Sequence, residues 1–575
     1  MNSKKKYLVY IPQAIVAIVL VAIQVFCDLK LPEYLITIVN DGVMKGDLSM
    51  VLGPGAEMLG FTLIGMVTAI TVSYFASRIS SGVSRDLRND IFEKIEGFSM
   101  HEFDKFSTAS LITRSTNDIQ QIQMFTFMLI RMMTMAPIMA VGGIIKAIET
   151  SKSISWILAV AVPITLTFIF IMMIFIIPVF NKIQNYTDGL NKVSRESLTG
   201  IRVIRAFRRE KTEEKKFDNV NSDLTKINIF MNRMMSLLFP VTMFFISLTQ
   251  LAIVWFGAKA IDAGDLEIGN ISGFTTYAIQ VLMSFLMLTM MSVIFPRAMV
   301  SWKRIHAVLK TNPSIISKPS MDSALTDLPA QVVFQNVSFA YPGASEKVLS
   351  DISFTAKKGE ITAFIGSTGC GKSTLVNLIP RFYDVTEGEV LVNGVSIKEI
   401  PLDKLHDVIG YVPQKSVLFK GTIESNIKQG KLDASPEEIE LSAKIAQAEN
   451  FILEKEEKYN SEISQSGTNV SGGQKQRLSI ARALVRKPQI YIFDDSFSAL
   501  DFKTDRALRE ALKPYIYESV AIIVAQRIST IMYADRIIVL DEGKIVGTGK
   551  HRELLENCQV YKEIASSQLS KEELA

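Results

Sequence analysis

The chain has 575 residues, 48% of them hydrophobic and 21% charged, with a net charge of +4 and a mean hydropathy of +0.25. That length exceeds one compact core and predicts roughly two to four domains. The near-balanced charge excludes a strongly basic nucleic-acid binder, and three scattered cysteines with four histidines exclude a disulfide framework or a zinc-ligand pattern.

Apolar sequence fills the first half. Lys4, Lys5 and Lys6 precede an apolar stretch from Ile11 to Phe26 with no small-residue cleavage pattern after it, which predicts a retained first span rather than a cleaved signal. Six segments reach spanning length, near 11–40, 57–77, 124–147, 155–181, 234–258 and 272–296. A polar stretch from Arg78 to Gln123 joins spans two and three. A longer one, from Asn181 to Arg233, joins spans four and five and is rich in Lys and Arg. The other connections are short and carry few basic residues, as in Asp262–Asn270. Basic residues accumulate on the cytoplasmic side, so the N-terminus, both arms and the C-terminal half are expected inside.

Helical periodicity predicts that the arms are helices continuing below the bilayer. Each holds a short turn-flanked segment, Thr108–Asn117 and Leu198–Arg205, expected to dock on an ATPase domain rather than to be a plain surface turn. Asp28, Lys30 and Glu33 in span one and Arg131 in span three are charges at membrane depth, and so functional candidates. For the first three, a cavity-lining place and a place at the outer mouth of the span are both open. Met283, Met287, Met290 and Met291 recur on one face of span six. Methionine suits adaptable ligand surfaces, but such a stripe is more often packing.

The second half opens on a different chemistry. Gly366-Ser-Thr-Gly-Cys-Gly-Lys-Ser373 matches GxxxxGK[ST], after the strand-like run Ile361–Ile365 and before an apolar helix. The backbone of Gly366, Ser367, Thr368, Gly369, Cys370 and Gly371 is expected to close around phosphates, with Thr374 just inside the helix whose N-terminus adds positive potential. Lys372 would reach the β/γ phosphates and Ser373 a Mg²⁺ ion. Beside Lys372, the Cys370 thiol is expected to be reactive and protected by nucleotide.

A phosphate loop alone does not set the class; the motifs after it do. They are Tyr411-Val-Pro-Gln414, Val470-Ser-Gly-Gly-Gln474 leading into Lys475–Leu484, Tyr491-Ile-Phe-Asp494, Ser498-Ala-Leu-Asp501 and Gln526-Arg-Ile-Ser-Thr530. In this order they resemble the ABC ATPases. With six preceding spans and long arms, the chain resembles ABC exporter half-transporters of the multidrug and lipid-flippase type. Arg114–Asp118 and Glu196–Phe207 are similar to that family's coupling segments.

The resemblance implies a membrane α-helical bundle of six transmembrane helices with long cytoplasmic extensions (1–310), a linker (311–331) and an α/β ABC ATPase domain (332–575). It implies ATP and Mg²⁺ as ligands. Tyr341, in Val337-Ser-Phe-Ala-Tyr341, would stack on adenine; Asp494 would organise Mg²⁺ and its water; Gln414 would touch the metal or the attacking water. Ser471, Gly472, Gly473 and Gln474 would close over the nucleotide of a second half-transporter subunit, so two domains sandwich two ATPs.

Two departures from the family pattern stand out. Asp495 replaces the usual Glu that polarises the attacking water, and Gln526 replaces the usual His. The Asp side chain is one methylene shorter, and a misplacement of about 1 Å can cost on the order of 10²-fold in rate. An amide carries no charge or mobile proton at neutral pH. Gln465, where many relatives have an acid, is a lesser departure. Together these predict the degenerate-site subunit of a heterodimeric exporter, whose intact SGGQ motif serves a competent site on the partner. The expected activity is ATP-driven export of hydrophobic or amphipathic compounds across the cell membrane, with the bilayer and a small hydrophobic substrate as partners and no nucleic acid. A nucleotide-gated channel or regulatory subunit is the alternative, disfavoured by the apolar, Met-rich spans; inward transport on the same scaffold stays open.

Overall fold

In the structure, a computed structural model, residues 3–317 and 325–569 are described. Most of the expected linker falls within them, but its stretch 318–324 lies outside, as does the side chain of Met290. The chain divides into two compact units, Met1–Glu96 with Thr108–Thr311, and Gly97–Ser107 with Asn312–Ala575.

Among the described residues, the first unit holds six helices long and apolar enough to cross a membrane: Lys6–Val43, Leu48–Glu96, Thr108–Thr150, Ser155–Thr199, Glu210–Asp262 and Ile268–Lys310. The longest has 53 residues, about 80 Å of helix at 1.5 Å per residue, against a hydrocarbon core of about 30 Å. The arms are thus the same helices carried past the bilayer, as their periodicity predicted. Without a hydrophobic drive between helices in lipid, close approach relies on small residues. At Gly143 an added Cβ would stand 2.7 Å from Val281 Cγ2, so only glycine lets the third and sixth helices meet there.

Among the charged residues of span one, Lys30 and Glu33 are paired. Glu33 pairs with Lys30 on its own helix and with Lys146, 2.7 Å away, one turn from the end of the third helix at Thr150. Asn40 lies beyond them. It accepts from Gly269 N at 2.6 Å and donates to Asn270 Oδ1 at 3.0 Å, while Asn270 donates to Thr150 O. This network ties the ends of the first, third and sixth helices. Arg131 sits exposed in a π-helical turn, Leu129–Met133. Met291 is 5% exposed, which favours packing for that part of the methionine stripe.

The first arm corrects the expectation for Thr108–Asn117. That stretch is helical throughout and continuous with the third spanning helix. Just beyond it, Asp118 accepts from Ser301 Oγ at 2.9 Å and pairs with Arg304 Nε at 3.2 Å, which holds this part of the arm inside the first unit. The turn lies one step earlier, in Gly97–Ser107. A short helix, Met100–Phe106, starts there at Ser99, whose N–H donates to Glu102 Oε2 at 3.0 Å in a capping box. Phe98 stacks on Phe106, and Asp104 accepts from Tyr383 OH at 2.9 Å, within the second unit. In the sequence this helix is marked only by its Ser-x-x-Glu start, Ser99 to Glu102. In the second arm, Gly200 interrupts the helix before Ile201–Ala206, which buries no residue; Leu198, Val203 and Phe207 are 75%, 60% and 74% exposed.

The second unit is built on three sheets. Strands β1 (Gln331–Phe339), β2 (Leu349–Lys357), β4 (Glu387–Val392) and β5 (Val395–Ser396) form an antiparallel sheet in the order β2-β1-β4-β5. Strands β3 (Ile361–Gly366), β6 (Ile409–Val412), β9 (Ile490–Asp494), β10 (Val520–Val524), β11 (Arg536–Asp541) and β12 (Lys544–Gly549) form the main sheet, ordered β12-β11-β3-β10-β9-β6. The remaining strands, β7 (Gly421–Thr422) and β8 (Glu462–Ile463), make a two-stranded pair. In the main sheet every pairing except β11 with β12 is parallel. Its inner strands are buried on both faces, so β9 and β10 read as unbroken apolar runs.

Candidate nucleotide site

Parallel strands deliver their C-terminal ends to one edge, where open α/β sheets bind ligands. Register makes this concrete: Val524 pairs with Asp494 on one side and with Phe364 on the other. The loop after β3 is Gly366–Lys372, the acid at the end of β9 is Asp494, Gln526 follows β10 by two residues, and Gln414 follows β6 by two. Four sequence-distant motifs therefore meet because their strands are neighbours.

The phosphate loop needs its glycines. Gly366 has φ 159°, and a Cβ there would sit 2.0 Å from Leu540 O; Gly371, at φ 97°, would press a Cβ to 2.8 Å from Leu349. Lys372 Nζ donates to Gly366 O at 2.8 Å and Ser367 O at 2.7 Å, so its ammonium lies across the loop it closes. Ser373 Oγ donates to Asp494 Oδ1 at 2.9 Å. A buried ammonium, a hydroxyl and a carboxylate at a helix N-terminus form a donor set that fits a triphosphate with a hard divalent cation. Tyr341 reaches the same place, its OH 3.0 Å from Thr374 Oγ1, with its ring edge-on to Phe339 and Tyr383 and half-exposed. Cys370 departs from expectation. Its thiol is only 4% exposed and packed in the domain core, 3.5 Å from Lys372 Nζ, so it contributes backbone to the loop and no accessible sulfur.

Opposite the loop lies Asp495, 8% exposed, with a φ of 49° that Asp tolerates better than most residues. One carboxylate oxygen, Oδ2, accepts from Gln526 Nε2 at 2.9 Å and from Gln414 Nε2 at 3.3 Å. Burial pushes the carboxyl pKa of both Asp494 and Asp495 above the ordinary range, opposed for Asp494 by the Ser373 hydrogen bond and for Asp495 by that from Gln414.

The SGGQ residues are not part of this cluster. Ser471 caps its own helix, Gly472–Leu484, in a reciprocal pair with Gln474 (3.3 and 3.0 Å), and Ser471 and Gly472 are exposed. Among the described residues no hydrogen bond joins them to the phosphate loop. Three supporting residues escaped the sequence reading. Gln476 Oε1 holds the Ala499 N–H at 3.1 Å; Arg509 and Gln568 bond to the backbone around Gln526. Gln568 lies in no motif and carries no sequence signal.

Comparison with known proteins agrees with this construction. Residues 14–285 match the ABC transporter transmembrane region family and residues 349–498 the ABC transporter family. An ABC transporter ATP-binding protein of Mycobacterium tuberculosis is 42% identical over 550 residues, covering 95% of this chain and 94% of that protein. The ABC transporter ATP-binding protein YfiB of Bacillus subtilis is 37% identical over 557 residues, covering 97% and 96%. The ATP-dependent lipid A-core flippase of Haemophilus influenzae is 30% identical over 547 residues, covering 93% and 91%. In fold, the chain matches a bacterial Atm1-family ABC exporter solved with ATP bound, with a TM-score of 0.79 at 23% identity, over 97% of this chain and 98% of that one. With spanning helices, nucleotide loop and relatives in agreement along nearly its whole length, the chain belongs to the ABC transporter family, as an exporter-type half-transporter of the bacterial cell membrane whose cytoplasmic ATPase domain couples ATP hydrolysis to transport.

Proposed function

We propose that this chain is the degenerate-site half of a heterodimeric exporter of hydrophobic or amphipathic compounds. The observation that carries the reading is the double hydrogen bond at Asp495, whose Oδ2 accepts from both Gln526 and Gln414. A short carboxylate held by two amides is poorly placed to polarise a water, and neither amide can take its proton. On the phosphate side, Lys372 and the loop backbone bind the β/γ phosphates and Tyr341 stacks on adenine. Ser373, Asp494 and Gln414 would hold Mg²⁺, which would supply positive charge against that developing on the phosphate oxygens. The site then binds ATP firmly and hydrolyses it slowly.

The exposed Ser471–Gln474 turn completes the partner's site, which supplies the fast hydrolysis. Closure of the two ATPase domains around nucleotide shifts the membrane domains outward because the closed state binds ATP better. The apolar exposed helix Ile201–Ala206, at the tip of the second arm, passes that closure to an ATPase domain of the assembly. Similarity to the lipid A-core flippases supports an amphipathic substrate. The test is restoration: Asp495→Glu with Gln526→His should raise hydrolysis at this chain's site by about tenfold or more. An unchanged rate in the restored protein, with nucleotide affinity intact, would remove the ground for calling the site degenerate.

A further inference from the structure

We propose that Gln568, in the last turn of the helix Gln559–Gln568, is a positioning residue for Gln526 and so sets the geometry of the hydrolytic edge. The switch segment begins where the β10 ladder stops. Ala525 N still donates to Phe364 O at 3.1 Å, but among the described residues no strand pairs with the backbone beyond. Ile528 is fully buried, so its N–H needs a partner, and one side chain supplies that bond and a second to the exposed Gln526. Gln568 Oε1 accepts from Ile528 N at 2.8 Å, and Gln568 Nε2 donates to Gln526 O at 2.8 Å. A single amide thus brackets Arg527 as a neighbouring strand would.

The same segment is held from its other side. Arg509 Nη1 donates to Ser529 O at 3.0 Å and Thr530 O at 3.3 Å, while Nη2 donates to Asp505 Oδ2 at 2.9 Å. Between these two grips Gln526 projects its amide onto Asp495. The helix that carries Gln568 is itself fixed, since its Tyr561 and Ala565 are both 0% exposed. Gln568 is exposed yet stands on a rigid base, so its two bonds define the switch backbone rather than follow it. Without them the Gln526 backbone is released on one side, and a shift of about 1 Å in such a group can change rate by up to about 10²-fold. Nucleotide affinity rests on the phosphate loop and Tyr341, which Gln568 does not touch. The role holds whether the assembly is symmetric or not.

The experiment uses the full-length chain in lipid nanodiscs, with single-turnover ATP hydrolysis under excess enzyme and nucleotide affinity measured separately. Because it loosens the amide that occupies Asp495 Oδ2, Gln568→Ala should raise hydrolysis severalfold, up to about tenfold, with ATP affinity unchanged. Gln568→Glu keeps the acceptor for Ile528 N but cannot donate to Gln526 O, and should fall between. In a Gln526→Ala background, Gln568→Ala should add nothing, because the group it positions is gone. Should turnover lie below the floor of the assay, hydrogen exchange decides: the Ile528 amide should exchange about tenfold faster or more in Gln568→Ala at an unchanged melting temperature. Unchanged hydrolysis and exchange, additive effects in the double variant, or a parallel loss of ATP affinity would each overturn the assignment.

Discussion

Two walls of one ATP site can be set side by side. Along Gly366–Thr374 the chain keeps the family pattern in full, and its ammonium, hydroxyl and glycine geometry fit a triphosphate. Across from it, Asp495 and Gln526 depart from the pattern and bond to each other instead. The first wall comes from the loop after β3, the second from residues after β9 and β10. On the proposed reading separate strands carry binding and hydrolysis, so one can drift while the other stays fixed. On the proposed reading this is how a subunit keeps ATP as a structural ligand and leaves turnover to its partner.

The largest effect should come from the intact wall. Lys372→Ala removes charge-assisted bonds to phosphate worth about 1.5–3 kcal/mol, so ATP affinity should fall roughly 10- to 100-fold in a nucleotide titration. An affinity close to wild type would mean the loop does not hold the phosphates, and the contrast between the walls would collapse.

The arm makes the next test. Ile201 and Val203 are 40% and 60% exposed in this chain, so Ile201→Asp with Val203→Asp should change folding stability by no more than about 0.5 kcal/mol per site. Substrate-stimulated turnover of the assembled transporter should nevertheless drop severalfold, with ATP binding intact. Full stimulation would show the helix to be a surface turn.

Tyr341 separates stacking from hydrogen bonding. Tyr341→Leu should weaken nucleotide binding by about 1–2 kcal/mol, roughly 5- to 30-fold, whereas Tyr341→Phe gives up only the 3.0 Å bond to Thr374 and should stay within about fivefold of wild type. Equal losses in the two variants would place the hydroxyl, not the ring, in contact with nucleotide. The smallest effect belongs to Cys370: at 4% exposure its thiol should label with maleimide far more slowly than an exposed cysteine, with or without Mg-ATP.

Much of this was legible from residues. Six apolar stretches, two basic arms and a phosphate loop between an apolar strand and a helix declare themselves through periodicity and glycine spacing, and each lies where it was expected. What the sequence hid was burial and long-range partnership. The sulfur of Cys370 points into the core, which no local pattern records. The true turn of the first arm is marked by Ser99 and Glu102, one step before the Thr108–Asn117 segment expected to hold it. Gln568 acts across 42 residues of sequence through backbone atoms of Gln526, so its own identity gives no hint.

The claim of two unequal walls, one binding and one impaired in hydrolysis, is tested most directly by paired substitutions in the assembled transporter. Steady-state ATP turnover is measured with Asp495→Asn in this chain and, separately, with the partner's catalytic Glu changed to Gln. The account predicts that the partner substitution abolishes turnover while Asp495→Asn reduces it by no more than about twofold. Brisk hydrolysis by this chain alone, lost on Asp495→Asn, would contradict it and leave an ordinary symmetric exporter.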